Sequence, residues 1–317
     1  MIVDRTGPIA EDVHMLGHWA VPIYLVDGDH PALFDAGLSI LGPEYARQIQ
    51  RVLDGRQPEW CFLTHSHFDH CGSVAYLKRR FPKMKVVCSP GAAEVLTRPS
   101  ALQRIADLNR FAAGMADDFG VVAGDAPFEP FAVDAAAKEG DRFEISSGTT
   151  VRIMETPGHT WDFVSYYIPE RRLLVASEAL GTPDETGYIV TDCLVDYDVH
   201  YRSMERLNAL DVEILCLGHI CACTGEDARR HMSGSLMQSR DFRRMVERYL
   251  DEARGDAGAV AKRVKAYEWD GKSGIRQPEP AYLLNLEARI KTIMKKWAQT
   301  RADADAAPAP GPCGDSP

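Results

Sequence analysis

The chain has 317 residues, 45% of them apolar and 26% charged, the composition of a folded globular protein, which excludes a fibrous or wholly disordered one. With 46 Asp and Glu against 36 Lys and Arg the formal charge is −10, which excludes the broad cationic footprint that nucleic-acid binding needs. The opening "MIVDRTGPIAEDVHML" lacks the apolar core of a signal peptide, and no run of about eighteen apolar residues occurs anywhere, so a cytoplasmic protein with no membrane partner is expected.

"VPIYLVDG" from Val21 and "ALFDAG" from Ala32 are short apolar runs closed by turn residues, the pattern of a strand pair. A helix is expected from Glu44 to Leu53, then the strand "WCFLT", a helix from Ser73 to Arg80 and the strand "KVVCS". Leu102, Ile105, Leu108, Phe111, Met115 and Phe119 recur at three and four, which predicts an amphipathic helix serving as a lid or a crossover. Strands resume with "RFEI", "TVRIME", "FVSYYI" and "RLLVAS", followed by a helix from Val199 to Leu210 and the strand "EILCLG".

From Ser233 the pattern is helical, and the last helix, Tyr282 to Trp297, carries Leu283, Leu286, Ile290, Ile293 and Trp297 on one stripe. That stripe must be covered, by the body of the protein or by a second copy in a homodimer. The tail "RADADAAPAPGPCGDSP" has no apolar periodicity and reads as disordered. The expected organisation is therefore a body over 1–232, a helical cap packed on it over 233–300, and a disordered tail over 301–317. The eight cysteines sit mostly in apolar runs and read as free thiols; neither Cys71 nor the "CAC" after His219 has the paired spacing of a thiolate zinc site.

The densest chemistry is in "THSHFDHCG", Thr64 to Gly72, directly after an apolar strand. Only ten histidines occur in the chain, and three stand here beside Asp69. This places His65, His67, Asp69 and His70 on the loop at the carboxyl end of a strand, where α/β sheets bind ligands. In an extended loop His65 and His67 project to one side and can grip one cation, while Asp69 and His70, where the chain turns into a helix, can serve a second beside it. Imidazole with carboxylate suits zinc, iron or manganese. One loop cannot close two such sites, and three further residues share its position at the end of a strand: His159 in "TPGHT", Glu178 after "RLLVAS" and His219 after "EILCLG". His14, His18, His30, His200 and His231 lack such company and read as surface or core residues.

These motifs, with "FDAG" around Asp35, resemble in order and spacing those of the metallo-β-lactamase superfamily over about residues 10–230. The resemblance implies an α/β fold, a four-layer αββα sandwich with a C-terminal helical extension, and a binuclear centre at one edge of its two sheets. It implies that His65, His67 and His159 hold the first of two divalent metal ions, zinc foremost with iron or manganese as alternatives, and that Asp69, His70 and His219 hold the second. Glu178 stands where members of the family usually carry a bridging aspartate. The "HCG" after the motif and the acidic segment after Glu178 are closest in pattern to a branch that acts on an aminobenzoylacetyl-coenzyme A thioester.

Two adjacent cations lower the pKa of a shared water toward about 7 and so supply a hydroxide nucleophile. Asp69 is the candidate catalytic residue that orients it and moves its proton. No "GxSxG" elbow offers another nucleophile. The expectation is a metal-dependent hydrolase of a small-molecule thioester or ester with a bulky or aromatic acyl group. The alternatives are a regulatory binding protein with a vestigial site and a di-iron enzyme of oxygen chemistry.

Overall fold

The computed structural model describes residues 1–116, 126–272 and 277–306. The chain divides into two compact units, Met1–Ser239 and Arg240–Pro317.

The first unit is built on two seven-stranded sheets. One runs in the order β2 (Gly7–Ala10), β3 (Val13–His18), β4 (Val21–Val26), β5 (Ala32–Phe34), β6 (Trp60–Phe62), β7 (Lys85–Cys88), β8 (Ala135–Ala136). Its first four strands are antiparallel neighbours and its last four parallel ones. The other runs β1 (Ile2–Val3), β16 (Ala222–Thr224), β15 (Ile214–Cys216), β12 (Leu173–Val175), β11 (Val164–Ile168), β10 (Thr149–Glu155), β9 (Arg142–Ser146), with a single parallel pair, β12 with β15. A separate two-stranded ribbon pairs β13 (Thr182–Pro183) with β14 (Ile189–Val190).

Alternation along each strand sorts side chains into three apolar layers. In β4, Tyr24 and Val26 enter the layer between the sheets, where they meet Val151, Tyr166 and Val175 of the second sheet. Ile23 and Leu25 face the other way, toward helices α1 (Gly42–Leu53), α3 (Val74–Arg80) and α5 (Pro99–Gly114). Beyond the second sheet, Leu174 and Leu215 pack with Met204 and Leu207 of α6 (Tyr197–Asn208) and with Met232 of α7 (Glu226–Glu252). Helix, sheet, sheet, helix is the expected four-layer sandwich. Helix α1 shows why the outer layers hold: Pro43 and Glu44 open it, and Tyr45, Ile49 and Leu53 recur at four and are buried. Each such side chain contributes about 1.5–3 kcal/mol by leaving water.

The strands before Val21 escape a reading of apolar runs, because in "VHMLGH" Val13 and Met15 point inward while His14 and Gly17 interrupt the run. The expected helix from Ala101 is α5, which ends at Gly114; Phe119 lies outside the described residues. Phe111 is exposed, because the inward face is centred on Ile105 and Asn109 and Phe111 lies about a third of a turn from the first and nearly half a turn from the second.

The second unit holds the end of α7, α8 (Ala257–Lys265) and α9 (Glu279–Ala306). Helix α7 runs unbroken through Ser233, and α9 continues to Ala306, with residues 307–317 outside the described ones. Leu286, Ile290 and Ile293 of the α9 stripe are buried within the chain, and Leu283 is exposed. Buried Arg289 makes two bonds of 2.9 Å to Glu268 and lies 3.9 Å from the Phe242 ring, so its charge is compensated where water is excluded. No helix among the described residues is long and apolar enough to cross a membrane.

Candidate metal centre

All the site residues stand just beyond strand ends at one edge of the two sheets. After β6, Leu63 bonds Val87 O and Val164 bonds Thr64 O, both at 2.9 Å, which keeps the chain extended through His67 until α2 (Phe68–Cys71) begins. His65 and His67 therefore share a side, and Asp69 and His70 fall in the first turn of α2. His159 follows β10, Glu178 lies in the 3-10 turn Ser177–Leu180 after β12, and His219 follows β15.

The turn that carries His159 depends on Gly158. Its φ is +141°, and a Cβ there would come within 2.3 Å of His200 in α6. Ser203 of α6 bonds Pro157 O, Leu194 and Val195 both bond Gly158 O, and the loop is thereby clamped on two sides. Burial pushes His200 down to about 3, so the imidazole beneath the turn is neutral.

Seven side chains converge. His65, His67 and His159 form one group, His65, His70 and Glu178 a second, and Asp69, His70 and His219 a third, with ligand atoms inside each group within 4.8 Å of one another. His65 and His70 each belong to two groups, so the three overlap in one elongated cage. No cysteine joins a group among the described residues, and the seven described cysteines are free and buried.

Outer partners aim the imidazoles. His70 Nδ1 lies 2.9 Å from Asp35 Oδ2, His159 Nδ1 2.9 Å from Asp192 O, and His219 Nδ1 2.8 Å from Ala20 O. Carboxylate and carbonyl oxygens only accept, so each Nδ1 carries a proton and each Nε2 is the nitrogen turned to the cage. Thr64 Oγ1 donates to Asp35 and lies 3.0 Å from His65 Nδ1, which orients His65 the same way. Ser66 N donates to Asp162 Oδ2, and Asn109 of α5 donates to Phe68 O, tying the loop down at both ends.

A tight turn follows His219. Cys221 N bonds His219 O at 2.9 Å around Ile220 at φ +72°, a three-residue turn in a region that β-branched residues avoid. Ile220 N is anchored to Trp19 O at 3.0 Å, so the tip of the β3–β4 hairpin grips the loop at two carbonyls.

The cage divides electrostatically. Burial, reinforced by neighbouring imidazoles, holds His65 well below the ordinary histidine range and pushes His67 down to about 4. At His70 burial is opposed and outweighed by Glu178, Asp35 and Asp69, and the imidazole is raised well above its usual range. At His219 burial is likewise outweighed by Glu178 and Asp69, which raise it to about 9. Glu178, despite its burial, is held well below the carboxylate range by His70 and His65.

The cage fits a divalent cation by the state of its nitrogens. Among the described residues, buried His65 Nε2 has no hydrogen-bond partner, an orphan that costs about 1–3 kcal/mol if nothing fills its lone pair. His67 Nδ1 and His159 Nε2 face one another at 3.2 Å. His70 Nε2 lies 2.7 Å from Glu178 Oε1, yet off the line of a ring N–H, so the contact is one of charge and not a hydrogen bond. His65 Nε2 and His70 Nε2 thus stand without a hydrogen bond among the described residues, and the other inward nitrogens meet only one another or Glu178 Oε1, a crowding of donor atoms suited to a cation.

Asp35, Asp162, Ser177, Ala20 and Asp192 carry the cage without belonging to it. Asp35 is signalled by its "FDAG" motif, and Asp162 by its place after "HTW"; the carbonyls of Ala20 and Asp192 have no signature in residue type.

A four-layer sandwich with a histidine and carboxylate cage at its sheet edge defines a class of metal-dependent hydrolases. The chain belongs to the metallo-beta-lactamase superfamily, whose sequence profile matches residues 16–219. It is 24% identical over 301 residues to the hydroxyacylglutathione hydrolase of Ruegeria pomeroyi, spanning 91% of this chain and 94% of that protein. It is 22% identical over 208 residues to the atrochrysone carboxyl ACP thioesterase of Aspergillus fumigatus, 66% of this chain and 50% of that protein. A beta-lactamase domain protein from Burkholderia ambifaria shares the fold, with a TM-score of 0.66, 16% identity, and 94% of this chain and 89% of that one covered. The chain is thus an enzyme of the metal-dependent hydrolase class.

Proposed function

We propose that the chain hydrolyses a thioester or ester of a small molecule with a bulky or aromatic acyl group, using two divalent cations. The overlap of the three ligand groups supports this reading: His65 and His70 are each shared between two of them, as two adjacent cations would require. His65, His67 and His159 would hold one cation and Asp69, His70 and His219 the other, with Glu178 between them. Cations held there would bring the pKa of a bound water toward about 7 and polarise an acyl carbonyl.

The chain's own groups supply the rest. Asp69, whose side chain is 18% exposed, lies 3.7 Å from His219 Nε2 and 3.9 Å from His70 Nε2 at the more open side of the cage. It takes the proton of the attacking water, the water oxygen bonds the acyl carbon, and the carbon–sulfur bond breaks. Asp69 then returns the proton to the departing sulfur. Trp161, two residues after His159 and 64% exposed, offers an apolar plane to an acyl group. The segment with Leu194 and Val195, bonded to Gly158, offers a second wall. The names of the two relatives, an acylglutathione hydrolase and a thioesterase, support the thioester over other esters.

The test is a screen of the purified protein, loaded in turn with zinc, iron or manganese, against S-acylglutathiones, acyl-coenzyme A thioesters, lactones and bis-aryl phosphodiesters. Thiol release that needs two equivalents of metal and disappears with a chelator is expected, strongest for aryl-acyl thioesters. A blank screen with both equivalents bound sinks the reading, and activity confined to iron-loaded, oxygen-exposed protein favours oxygen chemistry instead.

A further inference from the structure

Resting on the reading that the cage holds cations, we infer that Ser177 and Gly218 confine Glu178 to ligation through one oxygen. Glu178 would then do with a longer side chain what a shorter carboxylate does elsewhere.

A glutamate has one more torsion than an aspartate and two equivalent oxygens, so without restraint it can chelate one ion with both oxygens or swing out of the cage. Three observations restrain it. Ser177 Oγ donates to Glu178 Oε2 at 2.6 Å, and a serine has only that one proton to give. Oε1, the oxygen that Ser177 does not hold, faces the cage, 2.7 Å from His70 Nε2 and hydrogen-bonded to His219 Nε2 at 2.9 Å. Behind the carboxylate stands Gly218, where a Cβ would come within 3.0 Å of Glu178 Cδ and Oε1 and 2.6 Å of Ser177 Oγ. Gly218 is not in the left-handed region, so the space it leaves, and not its conformational freedom, is what the site uses.

Ser177 itself sits at φ +47°. A residue with a side chain is held in that region only where the surroundings over-determine it, and such positions cluster at functional sites. The conformation places the hydroxyl on the outer carboxylate oxygen. Chelation by both oxygens would take up a coordination position that substrate needs, since a catalytic metal keeps one open. Ser177 is therefore a positioning residue: it acts through Glu178 and touches neither substrate nor cation.

The experiment compares the full-length wild type with Ser177→Ala, Glu178→Gln and Gly218→Ala. Each is loaded with zinc, counted for metal by elemental analysis, and measured by infrared difference spectroscopy against its metal-free form. The separation of the two carboxylate stretches distinguishes one-oxygen from two-oxygen ligation, and the E178Q spectrum isolates the Glu178 band. Expected are a wide separation in the wild type, a narrowed one in S177A at unchanged metal count, and loss of metal from G218A with its far-ultraviolet circular dichroism intact. A narrow separation in the wild type, or identical bands in wild type and S177A, overturns the inference. A wild type that binds one equivalent defeats the two-cation reading alone, since the Glu178 band still judges Ser177; a wild type that binds none overturns both.

Discussion

The two ends of the cage handle charge in opposite ways. At the His65, His67 and His159 end the outer partners are a hydroxyl and a carbonyl, and burial keeps His65 and His67 neutral. At the Asp69, His70 and His219 end two carboxylates lie inside the cage and Asp35 stands behind it, and the imidazoles are pulled toward the protonated state. A cation entering the first end displaces no proton from those two rings; one entering the second must. Were two cations held side by side as proposed, anionic groups gathered around one of the two positions would offset their mutual repulsion.

Asp35→Asn should break this asymmetry most strongly. Asp35 accepts from His70 Nδ1 directly and reaches His65 only through Thr64. Loss of such an outer partner lowers metal affinity by about 10–100-fold. The loss is expected at the Asp69, His70 and His219 position, with a smaller one at the other. Calorimetric titration that resolves two binding steps checks it, and equal losses at both steps would contradict the comparison.

A second prediction concerns pH. His219 is raised to about 9, so in the metal-free protein it is protonated below that pH and its proton competes with a cation. Affinity at that end should fall as pH drops, by about tenfold per unit for each proton displaced. His67 is pushed down to about 4 and His65 is held low as well, so neither ring gives up a proton to a cation and affinity at their end should depend less steeply on pH. Competition titrations with a chelator at three pH values give both slopes, and parallel slopes refute the division.

The convergence of the seven side chains was legible in sequence because the signals are local. His65 and His67 stand two apart on an extended chain, and His159, Glu178 and His219 each directly follow an apolar strand. The layers were legible for the same reason, since alternation in runs such as "VPIYLV" sorts Ile23 and Leu25 from Tyr24 and Val26. The Ala20 and Asp192 carbonyls were not legible, because any residue supplies a carbonyl and only the fold brings Ala20 to a histidine 199 positions away. Ser177 escaped because a serine next to a glutamate carries no pattern until its backbone angle is known. Strand β3 escaped because its inward residues are few and interrupted.

The smallest effect, and the sharpest probe of the second end, lies at Ile220. Within regular structure glycine is less stable than alanine by about 0.5–1 kcal/mol. At φ +72° the order should invert, because alanine keeps the left-handed strain that glycine relieves, which favours Ile220→Gly over Ile220→Ala by about 1 kcal/mol. Both variants lose the same packing of the isoleucine against the layer outside the second sheet, so their difference isolates the backbone term. If the strained turn serves to aim His219, the more stable glycine variant should be the worse metal binder, by about fivefold at the Asp69, His70 and His219 position, the equivalent of about 1 kcal/mol. Chemical denaturation of the metal-free proteins and metal titration of the same preparations supply the two numbers. A glycine variant that gains stability over alanine and binds metal equally well would show that the strain at Ile220 is a by-product of the tight loop, and that the Ala20 carbonyl alone holds His219.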